Sequence, residues 1–373
     1  MDKNYTALGL MSGTSMDGVD ASVIKSNGKD SYERIFDKYY EYDSKIYKNL
    51  TNLRKNIITL KDLVKHSKLI ADLEREITIY HANISKEIIE SCSEKIDLIG
   101  FHGQTIYHNP VEKISKQLGD GNLLSSLIRK KVVYRFRDND IKNGGQGAPL
   151  APIFHQLLIN QNKIELPTCI LNIGGIANIT NIFSKKDLEL ISYDIGPGNC
   201  LLDELVRSKI NKRYDEDGNI AKDGKTNEII LNQAIDNFDR IYKKHISYDV
   251  KDFSLNFIRG LSLEDGLSTL TDYTATIISF ALQELITQKN DKLKVLVCGG
   301  GRKNIYLINS INKKTSKNIN INLIDDYNID GDFIESQAFA YLAIRSYLNL
   351  PISFPKTTNV NASCTGGILV ENF

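Results

Sequence analysis

The chain reads as a two-domain α/β protein built from a duplicated unit, and three observations predict it. The stretch Leu8–Ala21 (LGLMSGTSMDGVDA) runs from apolar residues into a turn of small ones and out into a second apolar run, a strand–turn–strand hairpin. The same design returns in the second half at Cys169–Phe183, where Gly174-Gly175 makes the turn. Each hairpin opens a series of alternating strand and helix patterns, and 373 residues are enough to bury two cores.

After the first hairpin, Tyr32–Tyr42 alternates as a third strand. Apolar residues at helical spacing, among them Ile70, Leu73, Ile77, Ile84 and Ile88, predict helices over 44–70 and 72–92. His66 and His81 fall on these helices and are expected at the surface. Ile96–His102 is a short apolar run, read as a buried strand ending at Gly103-Gln104-Thr105. A short helix over Leu123–Ile128 and a strand over Val132–Phe136 follow. Asn143–Pro152 sets three glycines ahead of a proline at a helix start, a hinge or binding loop near the expected domain change. Beyond the second hairpin, Asp194 ends a strand, Gly196-Pro197-Gly198 turns, and Asn199 caps a helix. Helices are predicted over 226–240 and 264–289, strands over Lys294–Cys298 and Ile319–Ile324, and a helix over Asp332–Ala343.

Lysine and arginine total 47 against 46 acidic residues, so no bulk field draws the chain to nucleic acid or a membrane. No apolar run reaches the roughly 18 residues of a membrane span. Five cysteines without a CxxC pair predict a reducing compartment and no structural zinc. The N-terminus lacks a signal-peptide core, so a soluble, cytoplasmic protein is expected. The acidic loop Tyr214–Gly218 lacks the ligand spacing of a calcium loop.

Candidate chemistry collects at the turns. Gly13 and Gly18 allow close approach of the main chain to a ligand, and Thr14 and Ser15 offer hydroxyls. Asp17 and Asp20 supply carboxylates suited to a metal-bound phosphate. A Gly-rich hairpin without a ligand is the plain alternative, and the Walker pattern is absent. His102 and Gln104 lie past the carboxyl end of a strand, where open α/β sheets bind ligands; a satisfied loop histidine is the alternative. Asp194 suits Mg²⁺ held through water, or an Asx-turn. Gly299-Gly300-Gly301 after a buried strand suits a flat ligand such as adenosine.

In order along the chain, GLMSGTSMDGVDA, FHGQT, GGQGAPLAP, LNIGGIANIT, DIGPGN, YDEDGNIAKDG, VCGGGRKN and FIESQAFAYLA together resemble the anhydro-N-acetylmuramic acid kinase family. The resemblance implies a two-domain actin/hexokinase-like ATPase fold of duplicated RNase H-like units with a central cleft. Residues 1–135, completed by 350–373, would form one domain and 136–349 the other. It also implies ATP with Mg²⁺, a homodimer, and a role in peptidoglycan recycling, with the 1,6-anhydro ring opened by water and O6 phosphorylated. By that likeness Gly13, Thr14, Ser15, Met16, Asp17, Gly18, Val19 and Asp20 cradle the ATP phosphates. Gly174 and Gly175 serve them from the second domain, and Gly299, Gly300 and Gly301 lie near the adenosine. His102, Gln104, Asn199 and Glu335 would line the sugar pocket, and Asp17 and Asp194 would serve the metal.

Two departures from the family stand out. The family's Asp-Phe-Arg triplet, whose Asp is the base toward water, here reads Arg135-Phe136-Arg137. A guanidinium with a pKa above about 12 cannot accept a proton near neutrality. Asp138 and Asp140 are the carboxylates nearby, and strand alternation would turn Asp138 away from the face of Arg135. The run His245–Phe253 also keeps little of the family's pattern beyond its closing acid and Phe253. A sugar kinase of this family is the leading reading. A catalytically impaired homologue that senses nucleotide or muropeptide sugar, or a kinase for a different sugar, are the alternatives.

Overall fold

The computed structural model describes residues 3–184, 189–210, 212–242, 246–286, 288 and 291–373. The chain folds as two compact units, one of residues up to Ile164 with Phe333–Phe373, the other of Glu165–Ser184 with Glu189–Asp332.

In the first unit β1 (Tyr5–Ser12), β2 (Gly18–Ser26) and β3 (Tyr32–Glu41) form an antiparallel meander. β4 (Leu98–Asn109) joins parallel to β1, β5 (Ile114–Leu118) folds back on the end of β4, and β6 (Lys131–Tyr134) lies parallel to β4. The main path is therefore β3-β2-β1-β4-β6. In the second unit β7 (Thr168–Ile173), β8 (Ile176–Ile182) and β9 (Leu190–Pro197) form the meander. β10 (Leu293–Cys298) and β11 (Ile319–Leu323) extend it in parallel, in the order β9-β8-β7-β10-β11. Both units thus share one strand order and one pattern of directions. The duplicated α/β class read from the two hairpins is a duplication of topology. β12 (Ile368–Val370) ends the first sheet, antiparallel to β6.

The central strands are apolar because both their faces are covered. Every residue of β7 is buried, and the helices Leu263–Gln283 and Ile305–Lys314 pack Ala275, Ile278, Leu282, Leu307 and Ile311 into the same core. In the first unit the predicted stripe Ile70, Leu73, Ile77, Ile84 and Ile88 does lie inward from the helix Ser67–Ser91, against Leu8, Leu10, Ile99 and Phe101. On another side runs the helix Ile334–Tyr347, buried almost all round. A methyl group at Gly9 would overlap the Ser336 carbonyl and the Ala340 backbone nitrogen, and one at Gly100 would overlap the Phe339 carbonyl.

Several expectations change. The helix expected over 44–70 is broken into Ser44–Asn56 and Leu60–Lys65, because Asp62 accepts Thr59 N (2.8 Å) and Oγ1 (2.9 Å) and starts a new helix there. His81 is fully buried rather than exposed, between helix and sheet; its stripe position beside Ile77 and Ile84 places it there. The strand of FHGQT does not end at Gly103–Thr105 but runs to Asn109, because β5 supplies its outer half with hydrogen-bond partners. The unit edges fall after Ile164 and Asp332 rather than at 135 and 349. Asn143–Pro152 does not fall at a unit edge; it lies within the first unit, where Asp140 holds Gly145 N and Gly147 N. Of the helix expected over 264–289, the observed part is Leu263–Gln283; residues 287, 289 and 290 lie outside those described.

Replacing Gly9 by alanine should destabilise the first unit by about 1–3 kcal/mol or more, because the obstacle is backbone and cannot swing aside. Urea unfolding measured against the natural protein checks it.

Candidate functional site

The first turn is built from below. Met16 N donates to Gly13 O at 3.3 Å, and Met16 itself is left-handed (φ 59°) with its side chain in the core. Val19 is likewise fully buried, so Met16 and Val19 can offer a ligand only their backbone. Thr14 and Ser15 are exposed, and Ser15 Oγ donates to Asp17 Oδ1 at 2.6 Å. Asp17 and Asp20 are half-buried. Under the turn, Ser12 Oγ meets Tyr42 OH at 2.9 Å and His81 Nε2 at 3.3 Å. Gln104 Nε2 donates to Gly13 O at 2.9 Å. Gln104 is wholly buried, and among the described residues its Oε1 has no hydrogen-bond partner. It props the turn rather than lining an open pocket.

His102 sits beside this on β4. Its Nδ1 faces Gly103 O at 2.8 Å, while Arg137 Nη2 and Nε approach Nε2 at 3.0 and 3.3 Å. These partners place the imidazole proton on Nδ1 and leave Nε2 as acceptor. Arg137, which the sequence reading did not single out, also donates to Gly147 O at 2.6 Å and so joins the FHGQT strand to the GGQGAP loop. Phe339 lies against the His102 ring, with centroids 4.4 Å apart. Glu335 stands one turn before Phe339, in the first turn of the same helix and half-buried, on the face that meets His102.

The carboxylates near the altered triplet divide cleanly. Asp140 is 1% exposed; Gly147 N donates to its Oδ2 at 2.6 Å and Thr358 Oγ1 to its Oδ1 at 2.5 Å. Both oxygens are engaged in holding the glycine loop, which is the geometry of an anchor, not of a free base. Arg135 is not on a strand: β6 stops at Tyr134, Arg135 turns left-handed (φ 56°), and the helix Asp138–Lys142 begins three residues later. The alternation that would separate residues 135 and 138 therefore does not apply. Arg135 Nη2 instead meets Asp138 Oδ2 at 2.6 Å.

The second unit repeats the plan. Gly198 N donates to Gly175 O at 3.0 Å and Asn199 N to Gly174 O at 2.8 Å, tying the start of the helix Cys200–Lys209 to the turn. Asn199 Nδ2 reaches Ile173 O at 3.3 Å, so Asn199 is tied to the turn of this unit. Asp194 is inside β9 rather than at its end, because the strand continues through a bulge to Pro197. It is nearly buried, and its Oδ2 accepts Tyr248 N at 2.9 Å and Ser247 Oγ at 3.3 Å. Asp194 thus holds the loop in which the sequence departs from the family it resembles; His245 of that run lies outside the described residues.

Two features bear on nucleotide and metal. A methyl group added at Gly300 would meet nothing within 4 Å, and at Gly174 and Gly13 only single atoms at 3.5 and 3.7 Å. None of the three has a positive φ. Neither internal packing nor backbone conformation requires glycine there, while a closely approaching ligand would. For Mg²⁺, no three His, Cys, Asp or Glu side chains come together among the described residues. Asp17 fits the usual arrangement for that ion, in which one or two carboxylates act with phosphate oxygens and water. Asp194 fits less well with one oxygen given to its loop.

Two like-folded α/β units, each opening on a glycine turn with backbone donors around it, define the class. The family model for anhydro-N-acetylmuramic acid kinase matches residues 5–371, and the chain belongs to that family. It is 63% identical to the anhydro-N-acetylmuramic acid kinase of Pelagibacter ubique (strain HTCC1062), covering 100% of both chains. It is 36% identical to that of Zymomonas mobilis subsp. mobilis, over 97% of this chain and 98% of the other. Among the described residues no helix is long and apolar enough to cross a membrane, and all five cysteines are free thiols.

Three buried histidines tie this architecture to pH. Burial pushes His81 down to about 4 and His155 to about 3; burial and then the Arg137 charge hold His102 well below its ordinary value. Below about pH 6.5 the unfolded chain takes up protons that the folded chain refuses, so stability falls as pH falls from about 6.5 toward 4. Each group contributes at most about 1.4 kcal/mol per pH unit. Urea midpoints at pH 7, 6 and 5 should decline accordingly, and His102→Gln should flatten the decline by about one proton.

Proposed function

We propose that the protein is an ATP-dependent sugar kinase that opens 1,6-anhydro-N-acetylmuramic acid with water and phosphorylates O6. Family membership over residues 5–371 is the observation that carries the activity, and the three open glycine positions support nucleotide approach at both turns. Gly13–Asp20 and Gly174–Gly175 bind phosphate through backbone N–H groups, with Thr14 and Ser15 adding hydroxyls. Gly299–Gly301 takes the adenosine. His102 and Glu335 face the sugar, with Gln104 holding the turn beside them, and Asn199 serves the second turn. Asp17 accompanies Mg²⁺, which when bound with ATP draws charge from the phosphoryl group as it transfers. Cell-wall sugar recycling in the cytoplasm by a homodimer completes the reading.

In the reaction water adds to C1, the C1–O6 bond breaks, the proton of the water passes to a base, and O6 takes the γ-phosphoryl group to leave ADP. Arg135 cannot be that base. Asp140 is engaged at both oxygens, which leaves Asp138, 19% exposed along its side chain and oriented by Arg135. Positioning and charge stabilisation carry the rest of the catalysis.

ADP release with Mg·ATP and the anhydro sugar should be measurable, and Asp138→Asn should lower it about 10²–10⁴-fold. A silent natural protein that gains activity as Arg135→Asp would instead mark a scaffold that binds without turning over. Gly300→Ala should leave urea stability within about 0.5 kcal/mol of the natural protein. By calorimetry it should nevertheless weaken ADP binding about tenfold, the cost of about 1.4 kcal/mol.

A further inference from the structure

The glycine triplet Gly299–Gly301 has no side chains to hold it, yet one buried cation fixes it from behind. Arg302, 6% exposed, lies in the turn Gly300–Lys303 that follows β10. Its Nε and Nη2 grip Asp325 in a fork at 2.7 and 3.0 Å. Its Nη1 reaches Asp332 Oδ1 at 2.7 Å and the Gly299 carbonyl at 3.2 Å. The other oxygen of Asp332 takes Lys303 Nζ at 2.6 Å, and Gly299 N donates to Gly331 O at 3.3 Å. Burial works against the charge of Arg302, and the hydrogen bonds to Asp325 and Asp332 more than restore it. A methyl group at Gly331 would overlap the guanidinium, so Gly331 leaves the room that Arg302 occupies. On the other side of the loop, Gly300 faces open space.

We infer that Arg302 is a positioning residue for the nucleoside half of the nucleotide: it locks the glycine triplet to the 325–332 segment, so that the open face at Gly300 is rigid before the ligand arrives. This rests on the reading of Gly299–Gly301 as the adenosine loop. The physical ground is that a loop of three glycines would otherwise have to be ordered at the moment of binding, and a preformed surface avoids that cost. The bridge needs a planar fork that engages two carboxylates and a carbonyl at once. An ammonium ion in its place is a point charge and cannot span them. Among the described residues the hydrogen bonds of Arg302 go to Gly299, Asp325 and Asp332 and none to Gly174 or Gly175, although the triplet itself packs against Ile173 just before that turn.

The test compares the natural protein with Arg302→Lys and Gly331→Ala, the first changing the fork and the second keeping every charge while crowding it. Calorimetry measures Kd for ADP and, as a probe with no nucleoside, for inorganic pyrophosphate. Both variants should raise Kd for ADP about tenfold or more and leave pyrophosphate within about twofold. KM for ATP should rise similarly, with kcat and the KM of the sugar little changed. Loss of thermal stability with ADP affinity intact would overturn the inference, and so would equal weakening of ADP and pyrophosphate. If one variant does not fold, the other decides alone. A natural protein that binds neither ADP nor ATP would sink the nucleotide reading and this inference together, whereas natural binding matched by both variants would sink the inference only.

Discussion

In the first unit a helix and the sheet approach each other backbone to backbone. Gly9 on β1 and Gly100 on β4 let the helix Ile334–Tyr347 settle against the sheet with no side chain between, at the Ser336 and Phe339 carbonyls. That approach fixes the height of the helix above the strands. It also decides where Phe339 meets the His102 ring and where Glu335, one turn earlier, is carried. Close packing at native density leaves no slack for a methyl group at such a place. The position of the candidate sugar-facing groups thus depends on two glycines buried beneath a helix.

Buried charge does the equivalent work in the loops. Asp140 holds the glycine loop of the first unit through Gly147 N and Thr358 Oγ1, and Arg302 holds that of the second through Asp325 and Asp332. A charge removed from water is tolerated only when its hydrogen-bonding capacity is filled, and filling it requires several chain segments to converge. Each anchor therefore converts a glycine-rich segment, flexible by composition, into a defined surface. Asp194 follows the same logic in holding Ser247 and Tyr248.

Much of this was legible in the chain. The hairpins at Leu8–Ala21 and Cys169–Phe183, the inward stripe of the helix Ser67–Ser91 and the strand before the glycine triplet all follow from periodicity and turn composition. What misled was reasoning by local pattern where distant partners decide. Val132–Phe136 alternates like a strand, yet β6 ends at Tyr134 and Arg135 takes a left-handed turn toward Asp138. His81 is polar and sits mid-helix, yet it is buried because Ser12 and Ile77 satisfy its ring. Glycine density around Gly144 suggested a hinge, but a carboxylate seven residues from its amide partner and a threonine from the C-terminal segment hold it.

By itself the sequence determined the α/β class, the duplication and the places of the glycine turns. Those are set by side-chain period and by glycine, which act over a few residues. Only the tertiary structure decided which carboxylate near the altered triplet is engaged and which is oriented by Arg135, that Gln104 supports a turn, and that Arg302 backs the glycine triplet. Each of these depends on burial and on hydrogen-bond partners far apart in the chain, and the free energy of a charge follows its surroundings rather than its neighbours in sequence.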